Sequence, residues 1–425
     1  MSLIRDAHGT LCLGGVDLTA VLREAASPTY AYDLDAMAGE ARSLEAAFEG
    51  APHLVAYAVK ANTAGAVVRT LAAAGCGADI VSRAELRVAL ACGVDPDHIV
   101  FSGVAKEDVE IEEAVAAGDR GVAAIQLESV EEVSRVAARA RALGRKARVG
   151  VRINPGIDLE GATHAHIATG HDTAKFGVAG ADVLRAVDLI ESSPDLVLAG
   201  LGCHAGSQFT TLEPYLAAAR VVFDLVRDLR ADGRLRSLSF VDSGGGFGVD
   251  YGGGCGVSPA DFVRASRAEQ RARNLGDLQL TIEPGRSLVA PHGVLLARVI
   301  QSKIGATRRW LMIDAGMNDL IRPALYQAHH PIVAVTQAPG ELLVPWRVVG
   351  PVCESSDDFG AHDLGRDAPS AVAILGAGAY GYTMASVYNG RQLPAEVFVR
   401  AGKSVGKTAR RSVESWVRER SQAGL

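Results

Sequence analysis

The stretch LVAYAVKANT, residues 54–63, places a short apolar run directly before a lysine and a turn-like Ala-Asn-Thr. A run of this length and composition, bounded by turn residues, predicts a buried β-strand that ends near Val59. Lys60 carries a charge that is almost never fully buried without a partner. Its position indicates either a salt bridge at the rim of a sheet or a reactive amine.

Seven more apolar runs repeat this pattern along the first two thirds of the chain, separated by helix-like segments rich in Ala, Leu, Glu and Arg. Together the eight runs cover residues 53–59, 78–81, 98–103, 122–128, 147–153, 198–204, 237–244 and 279–285. Eight strand–helix repeats predict an α/β fold with a closed TIM-type (β/α)8 barrel, which takes about 250 residues. An open, doubly wound sheet uses the same alternation and is the alternative on this pattern alone.

After Gly285 the sequence becomes rich in short β-like runs with little helix. We therefore predict a barrel domain over residues 31–287, and a β-rich, sandwich- or barrel-like domain built from residues 1–30 and 288–425. The segment TYAYDLDAM, residues 29–37, predicts a strand before the barrel. The tail, residues 404–422, predicts a polar helix.

Composition and charge exclude several function classes. The net charge is −6 with both signs interspersed, which argues against a nucleic-acid surface. The six cysteines form no CxxC pair and no cluster with zinc spacing, as expected for reduced thiols in a cytosol. The sequence shows neither a signal-peptide pattern nor an apolar run of about 18 residues, so we expect a soluble cytoplasmic protein.

Polar residues gather where the predicted strands end, which is where barrels of this type carry their chemistry. The residues at these ends are Lys60, Asp79, Ser82, Ser102, Glu128, Asn154, His204, Gly244, Gly245, Gly246, Glu283 and Arg286. Taken singly, each has an ordinary structural interpretation: a strand-end lysine usually forms a salt bridge, and a lone histidine is usually a packed core residue.

Two strand-end motifs suggest a phosphorylated ligand. In DSGGGFG, residues 242–248, three glycines let backbone N–H groups approach a phosphate closely, although a plain tight turn has the same appearance. In EPGR, residues 283–286, Gly285 offers a further amide and Arg286 suits a phosphate or carboxylate. Glu283 is suited to hold a proton on a heteroaromatic nitrogen.

These groups together fit one cofactor. An amine can form a Schiff base, a glycine-rich turn can hold a phosphate, and a carboxylate can keep a pyridine ring protonated. Pyridoxal 5'-phosphate, used as an electron sink, needs all three. A flat side chain such as His204 can cover one face of the ring.

Seven motifs in order along the chain carry a family resemblance: YAVKAN, HAGSQ, DSGGGFG, EPGR, RPALY, GPVCESSD and GAGAYGYTMASVYNGR. From about Tyr30 to Val399 the chain resembles the alanine-racemase-type (fold type III) pyridoxal-phosphate decarboxylases, and most closely the diaminopimelate decarboxylases. The resemblance implies decarboxylation of meso-2,6-diaminopimelate to L-lysine and CO2, the last step of lysine biosynthesis.

The resemblance also implies a role for individual residues. Cofactor binding is implied for Lys60, Asp79, His204, Ser207, Gly245, Gly246, Glu283, Gly285, Arg286 and Tyr380. Lys60 would hold the cofactor through its amine, and His204 would stack on the pyridine ring. Cys353 would donate a proton to the carbanion left when CO2 departs. In the family, Cys353 and Glu354 come from the partner subunit, so the active form would be a homodimer with shared sites.

A substrate with an amino acid at each end needs a second recognition site. Its distal end requires a clamp for the carboxylate, which Arg286 and Arg322 would supply with Tyr326, and an acceptor for the ammonium, which Glu354 would supply; Tyr380 would also contact the substrate. An ornithine- or arginine-type decarboxylase would need acids for a distal cation and no second arginine. A substrate without the matching distal end would leave these polar groups buried and unpaired, so the site would discriminate strongly against it.

Three alternatives remain open on the sequence. The first is an enzyme that acts on a related or carrier-protein-tethered amino acid. The second is an inactive, cofactor-binding regulatory homologue, although such proteins usually lose the lysine or the acid that are present here as Lys60 and Cys353. The third is a racemase, which would need a second base where Cys353 stands.

The loop at residues 163–177 is unusually rich in histidine, with His164, His166 and His171. No carboxylate or cysteine completes a convincing ligand set there, so we predict no metal site. Family members carry a comparable stretch thought to cover the site.

Overall fold

The computed structural model describes residues 3–157 and 175–422. His164, His166 and His171, for which we predict no metal site, therefore lie outside the described residues. The chain divides into two compact units. The barrel unit comprises Ala38–Val249 and Cys255–Leu288. The β-rich unit comprises Met1–Met37, Asp250–Gly254 and Val289–Leu425.

The chain begins with short elements. Strands β1 (Leu3–Arg5), β2 (Leu11–Leu13) and β3 (Val16–Asp17) form an antiparallel sheet, and helix α1 (Leu18–Glu24) follows. The next strand, β4 (Thr29–Asp33), is buried along its whole length and belongs to the main sheet of the β-rich unit. Helix α2, Leu34–Ala47, follows it.

Eight parallel strands then close into a barrel, as the eight apolar runs predict. They are β5 (His53–Ala58), β6 (Gly77–Ile80), β7 (Ile99–Phe101), β8 (Ala124–Leu127), β9 (Ala147–Arg152), β10 (Leu196–Gly202), β11 (Phe240–Gly245) and β12 (Gln279–Glu283). Each strand pairs in parallel with the next, and β12 closes on β5. The TIM-type barrel is confirmed, and the alternative of an open sheet is wrong.

Helices alternate with these strands along the sequence. They are α3 (Gly65–Ala73), α4 (Arg83–Ala91), α5 (Asp108–Ala116), α6 (Val130–Ala142), α7 (Gly180–Ser192), α8 (Glu213–Ala231) and α9 (Pro259–Ala272). The hydroxyl of Ser82 accepts the Glu85 amide and that of Ser129 accepts the Glu132 amide, both at 3.3 Å. These caps begin α4 and α6 within two residues of a strand end, so the connections at this rim are short.

The interior of the barrel is filled by side chains from its own strands. Phe240 of β11 packs into space that Gly200 of β10 leaves open, because a Cβ at residue 200 would lie 2.1 Å from the Phe240 ring. Ala124 and Ala199 pack against the same ring. The interior is therefore a packed core, and chemistry is confined to the strand ends.

The remainder of the chain is β-rich, as predicted. After the short helix α10 (Arg286–Val289) come β13 (Gly293–Ile304), β14 (Arg309–Ile313), helix α11 (Arg322–Tyr326), β15 (Ile332–Ala334), β16 (Leu343–Val349), β17 (Asp358–Gly365), β18 (Ala371–Ile374), β19 (Ala395–Arg400), β20 (Lys403–Thr408) and helix α12 (Val413–Gln422). The main sheet is mixed, with the order β17-β16-β14-β13-β4-β19-β20, and β18 pairs with both β13 and β15.

The tail differs from the sequence prediction. A helix over residues 404–422 is wrong for the first part, because Lys403–Thr408 forms a strand paired antiparallel with β19. Pairing with β19 outweighs the polar composition of this segment, and the helix begins only at Val413. Within residues 3–157 and 175–422, no helix is long and apolar enough to span a bilayer.

Candidate active site

Lys60 lies in a tight turn just beyond the barrel strand β5. The turn, Val59–Ala61, is a single 3-10 turn closed by a hydrogen bond of 3.0 Å from the Asn62 amide to the Val59 carbonyl. The Tyr57 hydroxyl, on β5, donates to the Asn62 carbonyl at 2.9 Å and so ties the turn to the strand. The turn leaves the Lys60 side chain 34% exposed, so the amine stands at the rim of the barrel.

The partner of Lys60 is Asp79, at the end of the neighbouring strand β6. The two side chains form an ion pair, and the Asp79 carboxylate is fully buried. Burial raises the pKa of Asp79, while the charge and the hydrogen bond of Lys60 oppose that shift. The strand-end lysine therefore forms the ordinary salt bridge and is at the same time held in one place by it.

Glu283, at the end of β12, is the acid best held in its charged form. His204 Nδ1 lies 3.2 Å from Glu283 Oε2, and the Ser102 hydroxyl lies 3.4 Å from Oε1. Burial raises the pKa of Glu283, but the hydrogen bond and charge of His204, with the charge of Lys60, outweigh burial and lower it below its ordinary value. Glu283 is thus a buried carboxylate that remains ionised.

His204 Nδ1 has two competing neighbours. The Gly245 amide also lies 3.2 Å from this nitrogen. A backbone amide only donates and a carboxylate only accepts, so one protonation state of Nδ1 serves one neighbour. With a proton on Nδ1 the ring pairs with Glu283, and without it the ring accepts from Gly245.

Glycine-rich turns lie beside these side chains. A Cβ at Gly245 would lie 1.9 Å from the Glu283 carbonyl oxygen, and one at Gly246 would lie 2.3 Å from the Gly206 carbonyl oxygen. Because neither position admits a side chain, the end of β11 presents bare backbone. The Phe209 amide donates to the Gly246 carbonyl at 2.9 Å, which ties this turn to the one after β10.

The EPGR motif completes this part of the rim. Arg286 Nη2 donates to the Ser207 hydroxyl at 2.9 Å. Arg286 is buried, with 5% of its surface exposed. Gly285 precedes the short helix that starts at Arg286. The barrel unit therefore brings the predicted residues Ser207, Gly245, Gly246, Gly285 and Arg286 onto neighbouring turns.

Sequence reasoning missed two supports of this site. Arg152 is paired with Glu128 at 3.0 Å and donates to the His204 carbonyl at 3.2 Å, so it fixes the backbone that carries the histidine. Asp242 is buried, and its carboxylate accepts the Gly244 amide at 2.7 Å. Burial and the charge of Glu283 raise the pKa of Asp242 well above its ordinary value. The only sequence signal for Asp242 is that it begins the motif DSGGGFG.

Five predicted residues lie in the β-rich unit. Arg322 and Tyr326 begin and end the helix α11. Cys353 is exposed, and its amide donates to the Asn389 side chain at 2.8 Å. Glu354 accepts a hydrogen bond from the Tyr388 hydroxyl, and Tyr380 has a positive φ of 55°. The predicted residues of this unit are Arg322, Tyr326, Cys353, Glu354 and Tyr380.

The groups at the barrel rim fit pyridoxal phosphate. They supply an amine, a carboxylate held in its charged form, and turns without side chains beside an arginine. Lys60 would hold the aldehyde carbon, Glu283 the pyridine nitrogen, and the turns with Arg286 the phosphate. Among residues 3–157 and 175–422, no group of three or more His, Cys, Asp or Glu side chains is arranged to hold a metal ion.

Comparison with known proteins gives a consistent result. A family model described as the pyridoxal binding domain of pyridoxal-dependent decarboxylases matches residues 34–290. The chain is 41% identical to diaminopimelate decarboxylase of Zymomonas mobilis over 97% of both chains. It is also 41% identical to that of Pseudomonas aeruginosa, over 93% of this chain and 92% of the relative.

Solved structures resemble the fold closely. The diaminopimelate decarboxylase of Helicobacter pylori, complexed with L-lysine, superposes with a TM-score of 0.88 at 35% identity, covering 96% of this chain and all of that one. The enzyme of M. jannaschii, also in complex with L-lysine, gives 0.89 at 31% identity, covering 98% and 97% of the two chains.

Proposed function

This chain belongs to the diaminopimelate decarboxylase family of pyridoxal-dependent decarboxylases, and from that premise we propose that it converts meso-2,6-diaminopimelate to L-lysine and CO2. The family resemblance in the sequence motifs is thereby confirmed. The chain is a pyridoxal-phosphate-dependent carboxy-lyase, and its product places it at the last step of lysine biosynthesis.

The observation that carries the proposal is the arrangement of Lys60, Asp79 and Glu283 at one rim of the barrel. Pyridoxal phosphate, when bound, supplies the electron sink for the pair released as CO2 leaves. Asp79, whose carboxylate is buried, orients the amine of Lys60 through their ion pair. Glu283 stays ionised and is suited to keep a proton on the ring nitrogen, while His204 covers the ring.

The substrate-binding roles are part of the proposal. Arg286 and Arg322 bind the distal carboxylate with Tyr326, and Glu354 accepts the distal ammonium. The planar fork of arginine matches a carboxylate with two N–H donors. Tyr380 contacts both cofactor and substrate.

Cys353 donates the proton that replaces the departing carboxylate. Its exposure supports this role, since a proton donor must reach the substrate. We also propose that the enzyme is a cytoplasmic homodimer in which Cys353 and Glu354 complete the site of the other subunit. Mixing the inactive variants Lys60→Ala and Cys353→Ala would then restore up to about a quarter of the activity, because only heterodimers regain one intact site.

The product formed from meso-diaminopimelate tests the proposal. Purified protein supplemented with pyridoxal phosphate should release equal amounts of L-lysine and CO2, and should leave L-ornithine and L-arginine unchanged. Turnover of another diamino acid in preference would indicate a related or tethered substrate. Inversion without CO2 release would indicate a racemase, and bound cofactor without any turnover would indicate an inactive regulatory homologue.

A further inference from the structure

A buried histidine in the β-rich unit holds Arg322. Arg322 Nη1 lies 2.6 Å from His330 Nε2, and the two residues are 5% and 2% exposed. On its other side, His330 Nδ1 lies 2.8 Å from the Leu375 carbonyl oxygen. The imidazole therefore bridges a main-chain carbonyl and the guanidinium.

These two contacts determine the protonation of the ring. A carbonyl oxygen only accepts, so Nδ1 carries the proton, and a guanidinium only donates, so Nε2 accepts. His330 is assigned as the neutral Nδ1–H tautomer. A second proton, on Nε2, would point at a cation 2.6 Å away. A neutral acceptor holds the guanidinium without cancelling its charge, which a carboxylate acceptor would do.

An aromatic ring restricts Arg322 in a second direction. The guanidinium carbon lies 4.9 Å from the centroid of Tyr251, and the Tyr251 and His330 rings meet edge to face at 5.0 Å. Gly376 makes room for this ring, because a Cβ there would lie 2.8 Å from Tyr251 Cε1. The guanidinium is thus held both by a directional hydrogen bond and by a face contact.

We propose that His330 is a positioning residue that aims the guanidinium of Arg322 at the distal carboxylate of the substrate. This inference rests on the proposed function, in which Arg322 binds that carboxylate. A forked donor discriminates only when its plane is fixed, because a rotating guanidinium loses the two-point fit to a carboxylate. His330 supplies that constraint and contacts neither the cofactor nor the reacting atoms in this role.

Two amide substitutions at residue 330 separate this role from a merely structural one. In His330→Asn the short amide reaches toward the Leu375 carbonyl but has no atom near the Nε2 position. In His330→Gln the longer amide places an oxygen near that position and can accept from Arg322. Both variants are polar and uncharged, so they differ mainly in reach. His329→Leu, at the exposed neighbouring histidine, is the control.

Binding of two ligands then gives the readout. L-lysine retains the distal carboxylate of diaminopimelate, the group that Arg322 is proposed to bind. Cadaverine has the same two amines as lysine but no carboxylate. Titration calorimetry on the cofactor-loaded enzyme should show lysine affinity reduced about tenfold or more in His330→Asn, and close to the wild-type value in His330→Gln and His329→Leu. Cadaverine affinity should be the same in all four proteins. With diaminopimelate, His330→Asn should raise KM more than it lowers kcat.

Several results would overturn the inference. Wild-type lysine affinity in His330→Asn would show that the histidine does not position Arg322. Equal losses for lysine and cadaverine would show a general structural role, as would a glutamine variant no better than the asparagine variant. If the wild-type enzyme makes no lysine from diaminopimelate, the proposed function fails, but the calorimetric comparison needs no turnover and still decides the role of His330.

Discussion

Replacing Lys60 with alanine should remove more than the proposed attachment point of the cofactor, because it leaves Asp79 fully buried without its cation. Breaking a buried ion pair by removing one partner costs about 3–5 kcal/mol. The Lys60 side chain is 34% exposed, so solvent already screens part of the attraction, and we expect the lower end, about 3 kcal/mol. In a unit of this size that lowers the melting temperature by roughly 6–12 °C.

The loss should depend on pH in a defined direction. Burial raises the pKa of Asp79 above its ordinary value of 3.8 already in the wild-type protein, and without Lys60 the pKa rises further. The folded state then keeps a proton that the unfolded state has released. The free energy of unfolding of Lys60→Ala is therefore highest below the pKa that Asp79 has in the unfolded chain. Between that pKa and the raised pKa of the folded state, it falls by about 1.4 kcal/mol for each unit of increasing pH. The gap between variant and wild type should narrow as the solution is acidified.

The assay is thermal unfolding of the cofactor-free proteins at intervals between about pH 5 and 8, since bound cofactor would stabilise only the proteins that retain it. The double variant Lys60→Ala/Asp79→Asn carries no buried charge at this position, so it should recover most of the stability and show a flatter pH profile than Lys60→Ala. Lys146→Ala, at an exposed lysine, is the control. After dialysis, neither Lys60 variant should keep visible cofactor absorption. If the double variant were no more stable than Lys60→Ala at pH 7.5, the unpaired Asp79 charge would not be the cause of the lost stability.

Two other substitutions test the cofactor cradle and the proton donor. Gly245→Ala puts a Cβ 1.9 Å from the Glu283 carbonyl oxygen, so it should cost about 1–3 kcal/mol and weaken cofactor binding, whereas Gly39→Ala in the open middle of α2 should stabilise by about 0.5–1 kcal/mol. Calorimetric unfolding and cofactor titration check both, and a tolerated Gly245→Ala would contradict the packing. Cys353→Ala should lower kcat about 100-fold or more with cofactor absorption intact, while Cys255→Ala should behave as wild type; an unchanged kcat would assign the donor elsewhere.

The barrel is predictable because its signal is local. Each strand is a short apolar run and each connection a helix-like segment, so the run at 147–153 matches the strand Ala147–Arg152 within one residue. Strand-end chemistry follows from this alternation, which is what locates Lys60, Asp79 and Glu283. Their roles also need the family motifs, since each residue alone has an ordinary structural interpretation.

The β-rich unit is less predictable because its pairing is not local. Thr29–Asp33 lies between two strands that begin at Gly293 and Ala395, more than 250 residues away. A strand signal does not specify such partners. The same reason hides His330, whose role depends on contacts with Arg322 and with the Leu375 carbonyl. The sequence around His330 gives no sign that its ring contacts Arg322 and the Leu375 carbonyl.

The barrel rim also distinguishes between three buried acids by their surroundings. Asp79, Asp242 and Glu283 are all buried there, and three negative charges so close together would repel one another. Burial and the charge of Glu283 raise the pKa of Asp242, whereas His204 and Lys60 keep the pKa of Glu283 low despite burial. Neighbours push the two pKa values apart, and this separation assigns distinct tasks to similar groups. The acid whose pKa is lowered is Glu283, at the end of β12, and it is the one that we propose as the partner of a protonated pyridine nitrogen.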